Sequence, residues 1–176
     1  MELALNEVKT QAKILLKAVK IDSNLQQKLR LPLKRLSVSN LDDIKLKHCL
    51  AIVAQQLGFD NWHHAQDILS GSEKPIEQLN MGTFFYHDSS GVFINEWFAD
   101  YQQANTILLQ HAENKWLLPY KNQFVVVKKD YIAEFKLNPE LTPLWNELDH
   151  NMVQGYNSLA WDTLACALIK NRRRDY

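Results

Sequence analysis

Apolar residues recur at helical spacing through the first 70 positions and the periodicity changes after position 80, so the chain divides by period into two sections. Leu5, Val8, Ala12, Leu15 and Val19 trace one face of a helix over residues 3–19. A second helix is expected over 23–30, ended by Pro32, and a third over 41–57. In the third, Leu50, Val53, Ala54 and Leu57 share a face, and Gly58 follows as the residue that most readily takes the left-handed cap. Phe59 and Trp62 are then expected to re-enter the core, with a fourth helix over 62–69.

Residues 70–80, SGSEKPIEQLN, are polar and hold glycine, serine and proline, which marks them as the boundary between a helical section (1–71) and a mixed one (80–176). Beyond it, 83–87 and 92–98 are rich in aromatic and β-branched residues around the turn-like Asp88-Ser89-Ser90-Gly91, the pattern of a hairpin. Asp100 is placed to cap a helix running to Ala112, with Ala104, Ile107, Leu108 and His111 inward. A second strand pair is expected at 116–119 and 124–127, then helices at 130–135, 143–148 and 158–170. The expected class is α+β: an N-terminal helical bundle, then a small antiparallel β-β-α-β-β sheet with covering C-terminal helices.

Composition confirms a core-forming chain. Its 176 residues are 46% hydrophobic and 10% aromatic, enough for one full core or two small ones. Five glycines and five prolines, with no self-similar period, set aside linkers and repeat arrays. No apolar run reaches the roughly 18 residues of a membrane span, and lysines and glutamates interrupt the first twenty positions where a signal peptide would be apolar. A cytoplasmic address without membrane contact is the expectation, with Cys49 and Cys166 as reduced, buried thiols.

The formal net charge of zero conceals a polarity along the chain. Residues 1–50 carry ten basic side chains against five acidic ones, whereas in 51–100 Lys74 alone faces seven carboxylates. Lys9, Lys13, Lys17 and Lys20 fall three or four apart on one helical stripe, the ordinary pattern of a solvated face and also that of a phosphate-binding one. Lys34 and Arg35 extend the basic region, and Arg172, Arg173 and Arg174 close the chain.

Motifs with their own chemistry are sparse. His63-His64, His87-Asp88 and Asp149-His150 are paired in sequence, but none has the spacing of a metal-binding helix turn or of paired Cys-x-x-Cys, so no metal and no cofactor are expected. The nucleophile elbow Gly-x-Ser-x-Gly and glycine-rich phosphate loops are missing. Tyr86, His87, Asn95, Glu96, Trp97 and Tyr120 form a candidate polar-aromatic pocket, because the first five lie on strands expected to pair. Alternation along 92–98 puts Phe93, Asn95 and Trp97 on one face and Val92, Ile94, Glu96 and Phe98 on the other. The spacing from Ala54 to Gly58 also suits a helix-turn-helix, yet the following helix carries Asp60 and Asp67 and no permanent cation to read DNA.

Val8-x-x-x-Ala12-Lys13-x-Leu15, followed by Leu50-x-x-Val53-Ala54-x-x-x-Gly58-Phe59-x-x-Trp62-x-x-Ala65, resembles a short helical module of uncharacterised bacterial proteins that sometimes lies beside glyoxalase-type domains. The resemblance covers about the first 70 residues and departs between Ile21 and Asp43; it implies no catalytic residues, and residues 80–176 lack glyoxalase-like metal spacing. Three functions are therefore expected in order: a non-catalytic module that binds another protein, a nucleic-acid-associated protein using Lys9, Lys13, Lys17, Lys34 and Arg35, and a small-ligand binder or enzyme built on the polar-aromatic pocket.

Overall fold

The computed structural model describes residues 2–86, 91–110 and 113–172. Helix α1 (Leu3–Ala18) buries Leu5, Val8, Ala12 and Leu15 along the predicted stripe, leaving Lys13 and Lys17 on the solvent side. It packs against α3 (Leu46–Gln56) and α8 (Leu159–Asn171), and α4 (Trp62–Ser70) closes against α1 and α3. The first helix thus lies between elements from both ends of the chain, and one apolar core runs from Ala4 to Ile169.

Helix α2 (Ser23–Arg35) starts where the Asp22 carboxylate accepts from the backbone N–H groups of Asn24 and Leu25 at 2.9 and 3.1 Å. It continues through Pro32, contrary to the expected break. Leu25, Leu29 and Leu33 are buried at successive four-residue steps, and this burial offsets the roughly 3 kcal/mol that an interior proline costs. The expected helix over 41–57 is also revised: Leu41–Asp43 is a single 3-10 turn, Ile44 is extended, and α3 begins at Leu46. There the N–H of Lys45 donates to Nδ1 of His48 at 3.1 Å. Desolvation, with Lys47 and Lys45 nearby, lowers the His48 pKa, which suits the neutral ring this bond requires.

Gly58 ends α3 with φ +92°. Its carbonyl accepts the N–H of Thr83 at 2.8 Å, and this contact decides the next segment. The strand expected over 83–87 does not form among its described residues, which make a turn closed by Tyr86 N–H on the Thr83 carbonyl at 2.8 Å. Consecutive Phe84 and Phe85 are both buried, which a strand with one solvated face does not allow. Phe84 stacks on Phe59 at 5.2 Å, and Phe85 meets Trp161 edge-on at 6.1 Å. His87 and the turn residues Asp88, Ser89 and Ser90 lie outside the described residues, as do His111 and Ala112 at the end of the predicted fifth helix.

The sheet consequently has three strands rather than the full β-β-α-β-β set, in the order β1 (Glu96–Phe98), β3 (Gln123–Lys128), β2 (Lys115–Tyr120), all antiparallel. β2 and β3 pair from Lys115 with Lys128 to Tyr120 with Gln123, around a two-residue loop whose Lys121 has φ +50°. β1 pairs with β3 and not with residues 83–86. Helix α5 (Tyr101–Gln110) begins as expected, with Asp100 accepting the N–H of Gln103 at 2.9 Å, and covers the face bearing Leu117, Phe124 and Val126. The opposite face, with Trp116, Leu118, Val125 and Val127, joins the main core. Helices α6 (Lys129–Ala133) and α7 (Thr142–Glu147) lead to α8, which starts with Ser158 Oγ accepting the Trp161 N–H at 3.1 Å. The class is α+β, and no helix among the described residues is long and apolar enough to cross a membrane.

Candidate functional site

Three of the six residues expected to form a polar-aromatic pocket come together from three segments. Trp97 on β1 and Tyr120 at the end of β2 meet edge-to-face with centroids 5.0 Å apart; Tyr86, from the turn after Phe85, meets Tyr120 at 5.3 Å and Trp97 at 6.5 Å. Cross-strand pairing dictates this meeting. Trp97 is opposite Val125, which is opposite Leu118, and Tyr120 follows two residues on from Leu118, so all four project to the same side of the sheet. Trp97 is 44% exposed, and the approach to β1 leaves Val92 and Ile94 81% and 92% exposed. The Lys121 ammonium lies 5.6 Å from the Tyr120 ring centroid.

Glu96 projects to the other face, where its carboxylate pairs with Lys115 at 2.7 Å. Asn95 precedes β1 and is partly buried, and His87 lies outside the described residues. Position 86 is held from behind: the Arg172 guanidinium donates to the carbonyls of Phe84 and Tyr86 and lies 5.7 Å from the Phe84 ring centroid. Arg172 is thus turned inward as an anchor, while Arg173 and Arg174 lie outside the described residues.

The basic candidates sit on α1 and α2. Lys9 is 3.9 Å from Glu2, whereas Lys13, Lys17, Lys34 and Arg35 are exposed and make no ion pair among the described residues. His64, beside the Gly58-Phe59 element, is committed structurally. Its Nε2–H donates to the Asn80 carbonyl at 2.5 Å, and its Nδ1 lies 3.1 Å from both the backbone nitrogen and the carboxylate of Asp60. Burial pushes the Cys49 thiol up to about 11 and raises that of Cys166, away from nucleophilic thiolate character. Among the described residues no group of three His, Cys, Asp or Glu could hold a metal ion.

A concavity of about 610 Å³ was not legible in the sequence. It lies between α5 and the corner after α7, where Asp149 and His150 have φ +49° and +57° in succession. His150 stacks on Trp116 with centroids 4.6 Å apart, and its Nε2 is 3.1 Å from Asn146 Oδ1. The corner is sewn to the sheet edge: Leu117 N–H donates to the His150 carbonyl and Met152 N–H to that of Leu117, both at 2.9 Å. The only sequence signal was the Asp-His pair, since Asp, Asn and His enter the left-handed region more readily than most residues.

Compared with protein-family models, curated proteins and solved structures, the chain matches none of them.

Proposed function

We propose that the chain is a protein-interaction module that takes an extended, proline-containing segment of a partner on the Tyr86–Trp97–Tyr120 cluster. The convergence of these rings supports this reading, because a half-exposed tryptophan held by two tyrosines is costly to leave in water unless something covers it. Mutually tilted rings leave shallow grooves between their faces, and a proline helix fits such grooves with little ordering cost because its backbone is already extended. Arg172 holds the Phe84–Tyr86 backbone, so the platform is organised before a partner arrives.

The test is a titration of ¹⁵N-labelled protein with a proline-rich decapeptide and with its proline-to-alanine counterpart. The expected result is a saturable shift of the Trp97 indole N–H with the proline peptide alone, with the buried Trp116 and Trp161 signals unmoved. Trp97→Ala or Tyr120→Ala should weaken binding by about tenfold or more, the scale of an interface anchor. An unmoved Trp97 signal at millimolar peptide rejects the reading.

A second reading, nucleic-acid association through α1 and α2, is favoured by the exposed Lys13, Lys17, Lys34 and Arg35, which make no ion pair among the described residues. Fluorescence anisotropy against short single- and double-stranded DNA and RNA is expected to show binding that falls steeply between about 50 and 200 mM salt, as phosphate contacts require. Reversal of Lys13 and Lys17 to Glu should abolish it. Absence of binding at low salt leaves the stripe as a solvated face.

A further inference from the structure

The cleft between α5 and the Asp149–His150 corner is independent of the aromatic platform, and its hydrogen-bond logic can be followed atom by atom. Asn151, only 1% exposed, is the hub. Its Oδ1 accepts two backbone N–H groups, those of Val153 at 3.0 Å and Gln154 at 2.9 Å. Backbone N–H groups can only donate, so the Asn151 amide is fixed with its nitrogen toward α5. That nitrogen donates to Tyr101 Oη and to Asn105 Oδ1, each at 3.1 Å. Asn105 therefore has to present its oxygen to Asn151, which leaves its NH₂ group without a protein partner among the described residues.

The same cleft is lined by Asn146, Gln154 and the carboxylates of Asp149 and Glu113, with the exposed side chain of Leu109 as an apolar patch. Two carboxylates and no Lys or Arg repel an anion. Among the described residues no group of three His, Cys, Asp or Glu is placed to hold a metal ion, Glu113, Asp149 and His150 of this cleft included. An organic ammonium would satisfy the carboxylates but accepts no hydrogen bond, so it would leave the oriented Asn105 donor to water. A hydroxyl both donates and accepts. Adjacent hydroxyls on one ring can donate to Asp149 and Glu113 while accepting from the amides, and the ring's C–H face can lie on Leu109.

We propose that this cleft binds a neutral polyhydroxylated small molecule, of sugar-ring size, with Asn105 as its positioned donor. The volume of about 610 Å³ lies within the range of small-ligand sites. The left-handed backbones of Asp149 and His150 shape the corner that lines the cleft.

Saturation-transfer NMR on the whole chain with D-glucose, D-galactose, D-mannose, N-acetyl-D-glucosamine and D-ribose tests this, beside putrescine as the cationic control. The expected result is saturable transfer to at least one sugar and none to putrescine. Asn105→Asp is the decisive variant, because it keeps an acceptor for Asn151 and exchanges the outward NH₂ donor for a charged acceptor. It should keep the melting temperature of the parent chain and weaken sugar binding by about tenfold, the value of one lost hydrogen bond. Gln154→Ala, on the exposed rim, should weaken it by a smaller factor and guards against a folding effect of the first variant. No transfer to any sugar, transfer to putrescine alone, or sugar binding unchanged in Asn105→Asp each overturns the proposal.

Discussion

Replacement of Asp162 by alanine should lower the stability of the whole chain by about 3 kcal/mol and the melting temperature by about 10 °C. Asp162 sits in α8, 4% exposed, and its two carboxylate oxygens accept the N–H groups of Leu3 and Ala4 at 2.9 and 3.0 Å. Helix α1 has no side-chain cap of its own from Glu2, so the carboxylate of a helix 158 residues away does that work. Truncation at position 162 strands these two donors at the positive end of the helix dipole, where Ala4 is fully buried, and removes the negative charge that balanced it. Because α1 touches α3, α4 and α8, loosening its first turn is felt across the core and not at one end. Asp162→Asn, which retains one acceptor oxygen but no charge, should cost about half as much. Thermal unfolding followed by circular dichroism measures both; an alanine variant within 2 °C of the parent would show that water caps α1 equally well.

That dependence could not be read from the sequence. Residue 162 falls inside an apolar helical pattern whose existence was legible, but its cap partner is at the other end of the chain. The features that were legible are local. The β2–β3 hairpin followed from its two short apolar runs and the turn between them, and α1 from its stripe, because each pattern is written in consecutive residues. The 83–87 segment had strand composition, yet tertiary burial of both Phe84 and Phe85 overrode it. Pro32 carried a strong local stop signal, which was overruled by the burial of Leu29 and Leu33. The aromatic platform was half legible for the same reason: Trp97 and Tyr120 are joined through one sheet, whereas Tyr86 arrives by a turn that Arg172 holds from the far end of the chain.

The Gly58-Phe59 element has a partner that no spacing reveals, and it sets the second large effect. Gly58 and Gly82 have φ +92° and +59°, and their backbones approach so closely that neither tolerates a side chain. A Cβ on Gly82 would lie 2.3 Å from the Gly58 carbonyl oxygen; one on Gly58 would lie 2.4 Å from Thr83 Oγ1 and 2.8 Å from the Thr83 carbonyl carbon. Adding the left-handed penalty to the overpacking, Gly58→Ala should cost about 3–4 kcal/mol, and Gly82→Ala at least as much because its clash is with backbone alone. The hydroxyl clash can be separated from the backbone one. If the side chain of Thr83 were the whole obstacle, Thr83→Ala would rescue Gly58→Ala. The carbonyl carbon at 2.8 Å remains in that double variant, so urea unfolding should show most of the loss still present. Full rescue would mean that the two segments can part at little cost. The consequence reaches the candidate docking surface, because the carbonyl of Gly82 accepts the Lys121 N–H at 2.7 Å and Lys121 follows directly on Tyr120. A chain that loses the Gly58–Gly82 contact but stays folded should therefore lose proline-peptide binding with it, while Asp162→Ala below its melting temperature should retain it.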